Sequence, residues 1–367
     1  MKITRLDLDA VHVNHRGDWA FVHVHTDEGL RGIGELRAGK NYGGRVRAVR
    51  ELETMLVGWD ARRIEQVVWK FTQGDAGEDR IGAVSAVEQA LWDILGKALG
   101  VPVHTLLGGA CRETIRLYAN INRATTDRTP EGFARNAAAA VAEGFDAVKL
   151  APFDGMPARM DSAKEARQGI ACMYAVREAI GPDVDLLIDC HSHFTVRGAL
   201  EVADALRDLD LFWFEQPTPE TDLEDVLKVQ ERCGIRTAGG EQRMLRRGFR
   251  EVLERRAMDV VMPDVTVVGG IGELKKVGEM AEAWGTPVAP HGPFGPVMIA
   301  AGVQAMAAHP GFLILEYGWG EVPWRNALTL PAERIENGRI ALTDRPGLGL
   351  ELNPDVVEAH RVADFGT

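Results

Sequence analysis

The sequence predicts an α/β protein in which a β/α barrel follows a smaller α+β region. Two observations lead to this fold class. From about residue 115, short apolar runs alternate with amphipathic helical patterns, as expected for repeated βα units. Before that point the chain combines strand and helix patterns without this alternation. The 367 residues, 46% of them hydrophobic, are enough to form large cores in two or three domains.

Residues 1–114 predict strands followed by helices. Residues 19–35 alternate between apolar and polar side chains around Asp27-Glu28-Gly29, which is typical of a hairpin. Residues 83–99 have apolar side chains at helical spacing, and Gly100 and Pro102 end that pattern. We therefore expect an N-terminal α+β domain over residues 1–114.

Residues 115–323 predict the barrel. The segment Thr129-Pro130-Glu131 provides an N-cap, a proline at the first helical position and an acid in the first turn, and Gly144 ends that helix. Eight apolar runs separated by helices match a β/α barrel better than a doubly wound sheet. These runs lie at residues 115–119, 147–150, 186–188, 211–214, 237–238, 260–262, 287–289 and 312–315. Residues 324–367 return to short strand and turn patterns, and we expect them to pack back on the N-terminal domain.

Charge and composition narrow the functional classes. Lys plus Arg is 42 and Asp plus Glu is 54, which gives a net charge of −12. This charge argues against nucleic acid and anionic membranes as partners, whereas a small anionic substrate stays compatible with a local metal ion. The cysteines form no CxxC pair, so we expect free and mostly buried thiols. Without a signal peptide or a run of about 18 apolar residues, we expect a cytoplasmic protein.

Carboxylates follow three consecutive predicted barrel strands. Asp189 ends the third strand, Glu215 the fourth and Glu241 the fifth, one βα unit apart. The carboxyl ends of barrel strands surround a common site, and clustered carboxylates repel unless a cation neutralises them. Oxygen ligands favour Mg²⁺ or Mn²⁺ over zinc. The alternative is that each acid caps the next helix, but their common register favours the metal.

The last three strands also end in groups that can carry chemistry. Asp264 ends the sixth strand, His291 the seventh and Glu316 the eighth. A neighbouring aspartate can orient a histidine and raise its basicity, which would make His291 a general base. A lone histidine after a strand is more often structural, but here it occupies the same tier as the acids.

Together these residues resemble the enolase superfamily and, within it, the mandelate racemase subgroup. Residues 85–109 (SAVEQALWDILGKALGVPVHTLLGG) are similar to the subgroup's capping-domain helix and its exit into the barrel. The resemblance covers nearly the whole chain. It implies a modified TIM barrel, (β/α)₇β, capped by an N-terminal α+β domain that takes in the C-terminal segment, and it implies a homo-oligomer.

The resemblance also implies roles for the barrel residues. An α-proton beside a carboxylate is very weakly acidic, and the enediolate formed by its removal needs a divalent metal and a donor such as a protonated glutamic acid. The implied roles are Mg²⁺ ligands for Asp189, Glu215 and Glu241, general base for His291 paired with Asp264, and hydrogen-bonding electrophile for Glu316.

The second strand departs from a pattern common in the subgroup. Where Lys-x-Lys is frequent, this chain has Lys149-Leu150-Ala151. Lys149 matches the lysine near the substrate carboxylate, although a solvated charge is the alternative, and Ala151 cannot take up a proton. His191, two residues after Asp189, resembles the general acid of the subgroup's galactonate-type acid-sugar dehydratases.

The leading prediction is a hydro-lyase. It would dehydrate an aldonate or aldarate to a 2-keto-3-deoxy acid, depending on Mg²⁺ and passing through an enediolate. By resemblance, the face of His291 serves substrates of R configuration at C2. The runner-up is a racemase, epimerase or cycloisomerase that uses the same enediolate. A non-catalytic metal-binding barrel is a third hypothesis, but it has no need of a base.

Substrate contacts are predicted from polar, glycine-containing and aromatic segments. Residues 14–19 and 39–43 belong to the capping region, and residue 324 lies near the eighth strand. Ordinary surface loops are the alternative. The residues that we expect to contact the distal hydroxyls are Arg16, Trp19, Lys40, Asn41, Tyr42 and Trp324.

Overall fold

The computed structural model describes residues 1–39, 42–363 and 365. Its N-terminal part contains the antiparallel strands β1 (Ile3–Asn14), β2 (Gly17–Thr26) and β3 (Arg31–Gly39). The helices α1 (Gly43–Leu56), α2 (Ile64–Phe71), α3 (Gly77–Leu99) and α4 (Val103–Leu106) follow. The predicted hairpin is confirmed as β2–β3. The predicted helix end is confirmed at Gly100, whose φ of 69° is left-handed.

The barrel begins with β4 (Thr114–Asn120). Its remaining elements, in order, are α5 (Pro130–Ala142), β5 (Ala147–Leu150), α6 (Arg167–Ile180), β6 (Asp185–Asp189), α7 (Val196–Ala205), β7 (Leu211–Glu215), α8 (Leu223–Arg232), β8 (Thr237–Gly239), α9 (Leu245–Glu254), β9 (Val260–Val261), α10 (Ile271–Ala283), α11 (Pro296–Ala307) and β10 (Leu315–Gly318).

The barrel closes where β10 pairs in parallel with β4. The seventh strand, predicted at residues 287–289, is reduced to parallel bridges from Val288 to Val261 and to Phe312. Pro287 and Pro290 flank this position, and proline has no N–H to donate to a ladder. The predicted fold class, a capped (β/α)₇β barrel, is confirmed.

The C-terminal segment contacts both earlier parts of the chain. It contains β11 (Thr329–Leu330), β12 (Arg339–Ala341), β13 (Glu351–Leu352) and α12 (Pro354–Ala359). Strand β12 pairs with the barrel strand β4, whereas β11 and β13 pair with each other. Toward the end, the N–H of Val362 donates to the carbonyl of Ala10 in β1 at 2.9 Å.

Helix α3, which carries the family-like motif, joins the cap to the barrel. Its buried Glu88 accepts the backbone N–H groups of Ile271 and Gly272 at the start of α10, each at 2.7 Å. Glu35 on β3 accepts the N–H of Gly295 at 2.6 Å, just before α11. Burial raises the pKa of Glu88 to about 8 and that of Glu35 to about 7. These contacts fix the capping domain over the barrel.

Two further expectations concern the whole chain. Among the described residues, no helix is both long enough and apolar enough to cross a bilayer. The expectation of free thiols is confirmed, with one cysteine exposed and the others buried: Cys111 is exposed, and Cys172, Cys190 and Cys233 are buried.

Candidate active site

The period-two alternation of the barrel strands places the polar side chains at the mouth. Apolar side chains such as Leu187, Trp213 and Ala289 fill the barrel interior. The residue two positions after each interior residue lies on the same face of its strand, at the carboxyl end of the barrel. The residues that follow interior positions in this way are Asn120, Lys149, Asp189, Glu215, Asp264, His291 and Glu316. Glu241 follows β8 without this spacing, after Gly240 with its φ of 105°.

The three predicted metal ligands are buried, with 3% of Asp189, 0% of Glu215 and 6% of Glu241 exposed. They do not cap the helices that follow them. Thr195 caps α7 and Asp222 caps α8, while α9 has no side-chain cap. The helix-capping alternative is therefore wrong.

Lys149 lies among the carboxylates with 1% of its side chain exposed. Its Nζ donates to both oxygens of Glu215 at 3.0 Å and lies 2.8 Å from Glu316 Oε1 and 3.9 Å from Asp189 Oδ2. Burial alone would lower the pKa of Lys149, but Glu215 and Glu316 raise it well above its usual range. The solvated-charge alternative is therefore wrong.

His291 bridges its predicted partner and a predicted ligand. Its Nδ1 donates to Asp264 Oδ2 at 2.8 Å, and its Nε2 lies 2.9 Å from Glu241 Oε2. Asp264 Oδ1 in turn accepts the N–H of Thr266 at 2.7 Å. Burial would lower the pKa of His291, but Glu241 and Glu316 raise it to about 10. The ring is therefore held as an imidazolium.

His191 is held in the same way, between an aspartate and Asp189, another of the three predicted ligands. Its Nδ1 donates to Asp154 Oδ1 at 2.5 Å, and its Nε2 lies 2.9 Å from Asp189 Oδ2. The φ angles of His191 (43°) and Ser192 (60°) are both left-handed. Residues other than glycine are strained in this conformation, and such backbone strain is concentrated at functional sites.

Glu316 differs from the protonated donor expected from the sequence. It accepts from Asn120 Nδ2 at 2.7 Å, from Lys149 Nζ at 2.8 Å and from the N–H of Gly292 at 3.0 Å. Burial would raise its pKa, but Lys149 and His291 hold the pKa below its usual value. In this structure Glu316 is therefore an ionised acceptor.

The chemistry of the three carboxylates fits a divalent cation. Within the described ranges, no three His, Cys, Asp or Glu side chains converge as a ready set of metal ligands. The cluster is nevertheless short of positive charge. Burial and the charge of Asp189 raise the pKa of Glu215, and the positive group nearest to Glu241 Oε2 is His291 Nε2 at 2.9 Å, in a contact without good hydrogen-bond geometry. Clustered, buried carboxylate oxygens are ligands that Mg²⁺ prefers.

A cavity of about 600 Å³ opens beside these groups, a size within the range of small-molecule sites. His191 and Glu241 line it on the side of the carboxylates. Its other walls come from the loops after β6, β7 and β8: Ser192, Gln216, Pro219, Glu220, Thr221, Gln242 and Arg243.

Of the predicted substrate contacts, Arg16 reaches the mouth. Its Nη2 donates to Asp154 Oδ2 at 3.0 Å. Trp19 is 1% exposed and packs edge-on against Trp324 at 5.6 Å, and its role as a substrate contact stays a prediction.

Two of the remaining predicted residues take part in packing with the C-terminal segment. Trp324 stacks on His360 with ring centroids 4.1 Å apart, and Tyr42 packs against Phe365 at 4.7 Å. Lys40 and Asn41 lie outside the described residues.

Among the described residues, several that contact these groups were not predicted, including Asn120, Asp154 and Arg37. Asn120 follows the interior Tyr118 by two positions, so the period of the strand could have identified it. Asp154 lies in the loop after β5, where no sequence pattern marks it. Arg37 comes from the capping strand β3, and its Nη2 lies 3.6 Å from Glu241 Oε1.

Family models match both parts of the chain. Residues 7–108 match the N-terminal domain of mandelate racemase / muconate lactonizing enzyme, and residues 132–356 match the enolase C-terminal domain-like family. The chain belongs to the mandelate racemase and muconate lactonizing enzyme family of the enolase superfamily. The family inferred from the sequence is thereby confirmed.

Several members of this family align with nearly the whole chain. A D-xylonate dehydratase of Haloferax volcanii is 32% identical over 371 residues, covering 97% of this chain and 88% of that protein. A D-galactonate dehydratase of Variovorax paradoxus is 33% identical over 375 residues, covering 98% and 95%. A D-galactarolactone cycloisomerase of Agrobacterium fabrum is 32% identical over 359 residues, covering 94% and 91%.

Solved structures of the same superfamily are similar to this chain over nearly its whole length. A mandelate racemase/muconate lactonizing enzyme-like protein from Roseovarius sp. TM1035 has a TM-score of 0.89 and 31% identity, covering 98% of this chain and 95% of that one. A member of the enolase superfamily from Salmonella Typhimurium has a TM-score of 0.88 and 29% identity, covering 97% of each chain. The protein is an enzyme of this superfamily, and the lyase class predicted from the sequence agrees with the dehydratase names of its relatives.

Proposed function

We propose that this enzyme dehydrates a sugar acid to a 2-keto-3-deoxy acid, with Mg²⁺, or Mn²⁺ in its place, held by Asp189, Glu215 and Glu241. The observation that carries the proposal is the shared arrangement of His291 and His191. Each ring has its Nδ1 held by an aspartate and its Nε2 beside a proposed ligand. One histidine can remove a proton and the other can return one to a leaving group. The names of the dehydratase relatives support a sugar acid as the substrate.

His291 is the proposed base for the C2 proton. Asp264 holds Nδ1, so Nε2 is the nitrogen that faces the substrate. His291 can accept the C2 proton only when Nε2 carries no proton. Nε2 must therefore first lose the proton that it carries in this structure and leave its contact with Glu241. A bound divalent cation would supply positive charge that stabilises the negative oxygens of the enediolate. Lys149 adds a fixed positive charge beside the carboxylate.

His191 is the proposed acid for the second step. Its Nε2 proton moves to the departing 3-hydroxyl, the C3–O bond breaks, water leaves and the enol product tautomerises to the 2-keto acid. Glu316 remains a proposed hydrogen-bonding residue beside the substrate carboxylate. It would need a proton to act as a donor.

An isomerase is the second candidate, because one relative is named as a cycloisomerase. A racemase or epimerase would need a base on each face of C2. Ala151, which lies where the subgroup often has a second lysine, carries no base, and Lys149 is engaged by Glu215 and Glu316. These features favour dehydration.

The test is incubation with D-xylonate, D-gluconate and D-galactonate, all 2R acids, followed by detection of 2-keto acid. D-Mannonate, the C2 epimer of D-gluconate, is the matched control substrate. We expect Mg²⁺-dependent keto acid from at least one 2R acid, loss of activity with a chelator, and no product from D-mannonate. Inversion at C2 without keto acid from any substrate would contradict the proposal and favour the isomerase.

A further inference from the structure

Asp154 is the point where the capping domain, the first barrel strand and His191 meet. Its Oδ1 accepts from His191 Nδ1 at 2.5 Å. Its Oδ2 accepts from Arg16 Nη2 and from Asn122 Nδ2, each at 3.0 Å, and Arg128 Nη2 lies 3.6 Å away. The carboxylate is 17% exposed, and the donors on Oδ2 fix the direction of Oδ1.

We infer that Asp154 is a positioning residue that aims His191 at the substrate, and that Arg16 of the capping domain holds Asp154 for this purpose. The inference rests on the proposed function of His191. Because Asp154 occupies Nδ1, Nε2 is the nitrogen left to face Asp189 and the substrate. The histidine side chain can adopt several rotamers, and a carboxylate that accepts from one ring nitrogen selects the rotamer that aims the other nitrogen at the site.

Arg16 brings the capping domain into the reaction. It lies in the tight turn between β1 and β2, where its N–H donates to Asn14 Oδ1 at 2.9 Å. The guanidinium donates to Asp154, so Arg16 acts through His191 rather than as the direct substrate contact predicted from the sequence. The position of the capping domain thereby sets the orientation of the proposed acid.

The proposed base is oriented without help from Asp154. The partner of His291 is Asp264, which is fully buried and held by Thr266 within its own loop. Loss of Asp154 should therefore slow the loss of the hydroxyl and spare removal of the C2 proton. The ratio of dehydration to C2 exchange separates this role from a general structural one.

The kinetic test compares Asp154→Ala and Asp154→Asn with Asp146→Asn. Asp146 is the matched control, because it precedes β5 at the opposite end of the strand and pairs with Arg116. The substrate is whichever of D-xylonate, D-gluconate and D-galactonate the wild type consumes fastest, in D₂O with Mg²⁺. We expect Asp154→Ala to lower keto-acid formation roughly 10- to 100-fold, the usual effect of losing an orienting partner. C2 deuterium exchange should change less than about three-fold.

The two controls sharpen this result. Asp154→Asn should retain part of the activity, because its amide oxygen can still accept from Nδ1, and Asp146→Asn should match the wild type. Equal losses of exchange and dehydration in Asp154→Ala would overturn the positioning role, as would normal dehydration.

A double-mutant cycle tests the part played by Arg16. If Arg16 acts through Asp154, Arg16→Ala should lower dehydration in the wild type and have little further effect in Asp154→Ala. Additive losses would show that Arg16 contacts the substrate directly and would overturn the link to the capping domain.

Crystal structures of the wild type and Asp154→Ala provide a readout that needs no substrate. We expect the His191 ring to rotate away from its 2.9 Å contact with Asp189 in the variant. An unchanged ring would overturn the inference. If the wild type makes no keto acid, the proposed function fails while the ring orientation still decides the positioning role. If Asp154→Ala does not fold, Asp154→Leu, which also lacks an acceptor, takes its place in both experiments, with the same loss of dehydration and the same ring rotation expected.

Discussion

Replacing Lys149 with methionine removes one buried positive charge and keeps the length of the side chain. In the wild type the ammonium lies 3.0 Å from both oxygens of Glu215, 2.8 Å from Glu316 and 3.9 Å from Asp189. The variant leaves these three carboxylates crowded together without that cation. A divalent metal is the natural replacement for the missing charge.

The size of the effect follows from the burial of the group. Removing one partner of a buried ion pair costs about 3–5 kcal/mol. At about 2.1 cal/mol/K per residue, the unfolding entropy of 367 residues is roughly 0.8 kcal/mol/K. The melting temperature of Lys149→Met should therefore fall by about 4–6 °C in the absence of metal. Mg²⁺ at about 100 times its Kd would restore about 2.7 kcal/mol, or roughly 3 °C.

The assay is thermal unfolding near pH 8, with a chelator and with Mg²⁺. Lys97→Met is the matched control, because Lys97 pairs with the buried Asp93 at 2.7 Å and with Glu351, in contacts that involve none of the mouth carboxylates. It should lose stability in chelator, and Mg²⁺ should raise its melting temperature only as much as that of the wild type and less than that of Lys149→Met. Two results would refute the reasoning: a Lys149→Met protein that melts like the wild type in chelator, or equal stabilisation of both lysine variants by Mg²⁺.

Three further predictions concern the metal, the base and the cap. Glu215→Gln should weaken Mg²⁺ binding in calorimetry, because it removes one anionic ligand, and unchanged affinity would contradict that role. His291→Asn should lower turnover by roughly 10²–10⁴, and Asp264→Asn should cost less; near-normal turnover in the first variant would rule out the base. The folded pKa of Glu35, raised by burial to about 7, exceeds its unfolded value of about 4.3. Its contribution to stability is therefore present below pH 4.3 and is lost as pH rises toward 7, by at most about 1.4 kcal/mol per unit. Calorimetric unfolding from pH 5 to 7.5 should show a shallower decline in Glu35→Gln than in the wild type, and identical slopes would contradict this.

The barrel and most of its mouth could be predicted because one regularity governs both. Alternate residues of a strand share a face, so Leu187 in the interior brings Asp189 to the mouth, and Ala289 brings His291. Hydrophobic periodicity therefore located the strands and the polar residues at their ends together. The same reasoning would have added Asn120.

The remaining residues depend on tertiary packing, which leaves little local signal. Asp154 lies in an irregular loop and gains its role from a ring and a guanidinium distant in the sequence. Arg37 reaches Glu241 because the capping sheet docks on the barrel. Trp19 beside a glycine-containing turn suggested a binding loop, but strand β2 carries it into the core.

The most direct test of the account follows C2 hydrogen and keto acid together by proton NMR in D₂O with Mg²⁺. We expect His191→Asn to exchange the C2 proton of the substrate without forming keto acid, because His291 still removes that proton. His291→Asn should do neither. Normal dehydration by His191→Asn would contradict the proposed mechanism, as would inversion at C2 by the wild type without keto acid from any sugar acid.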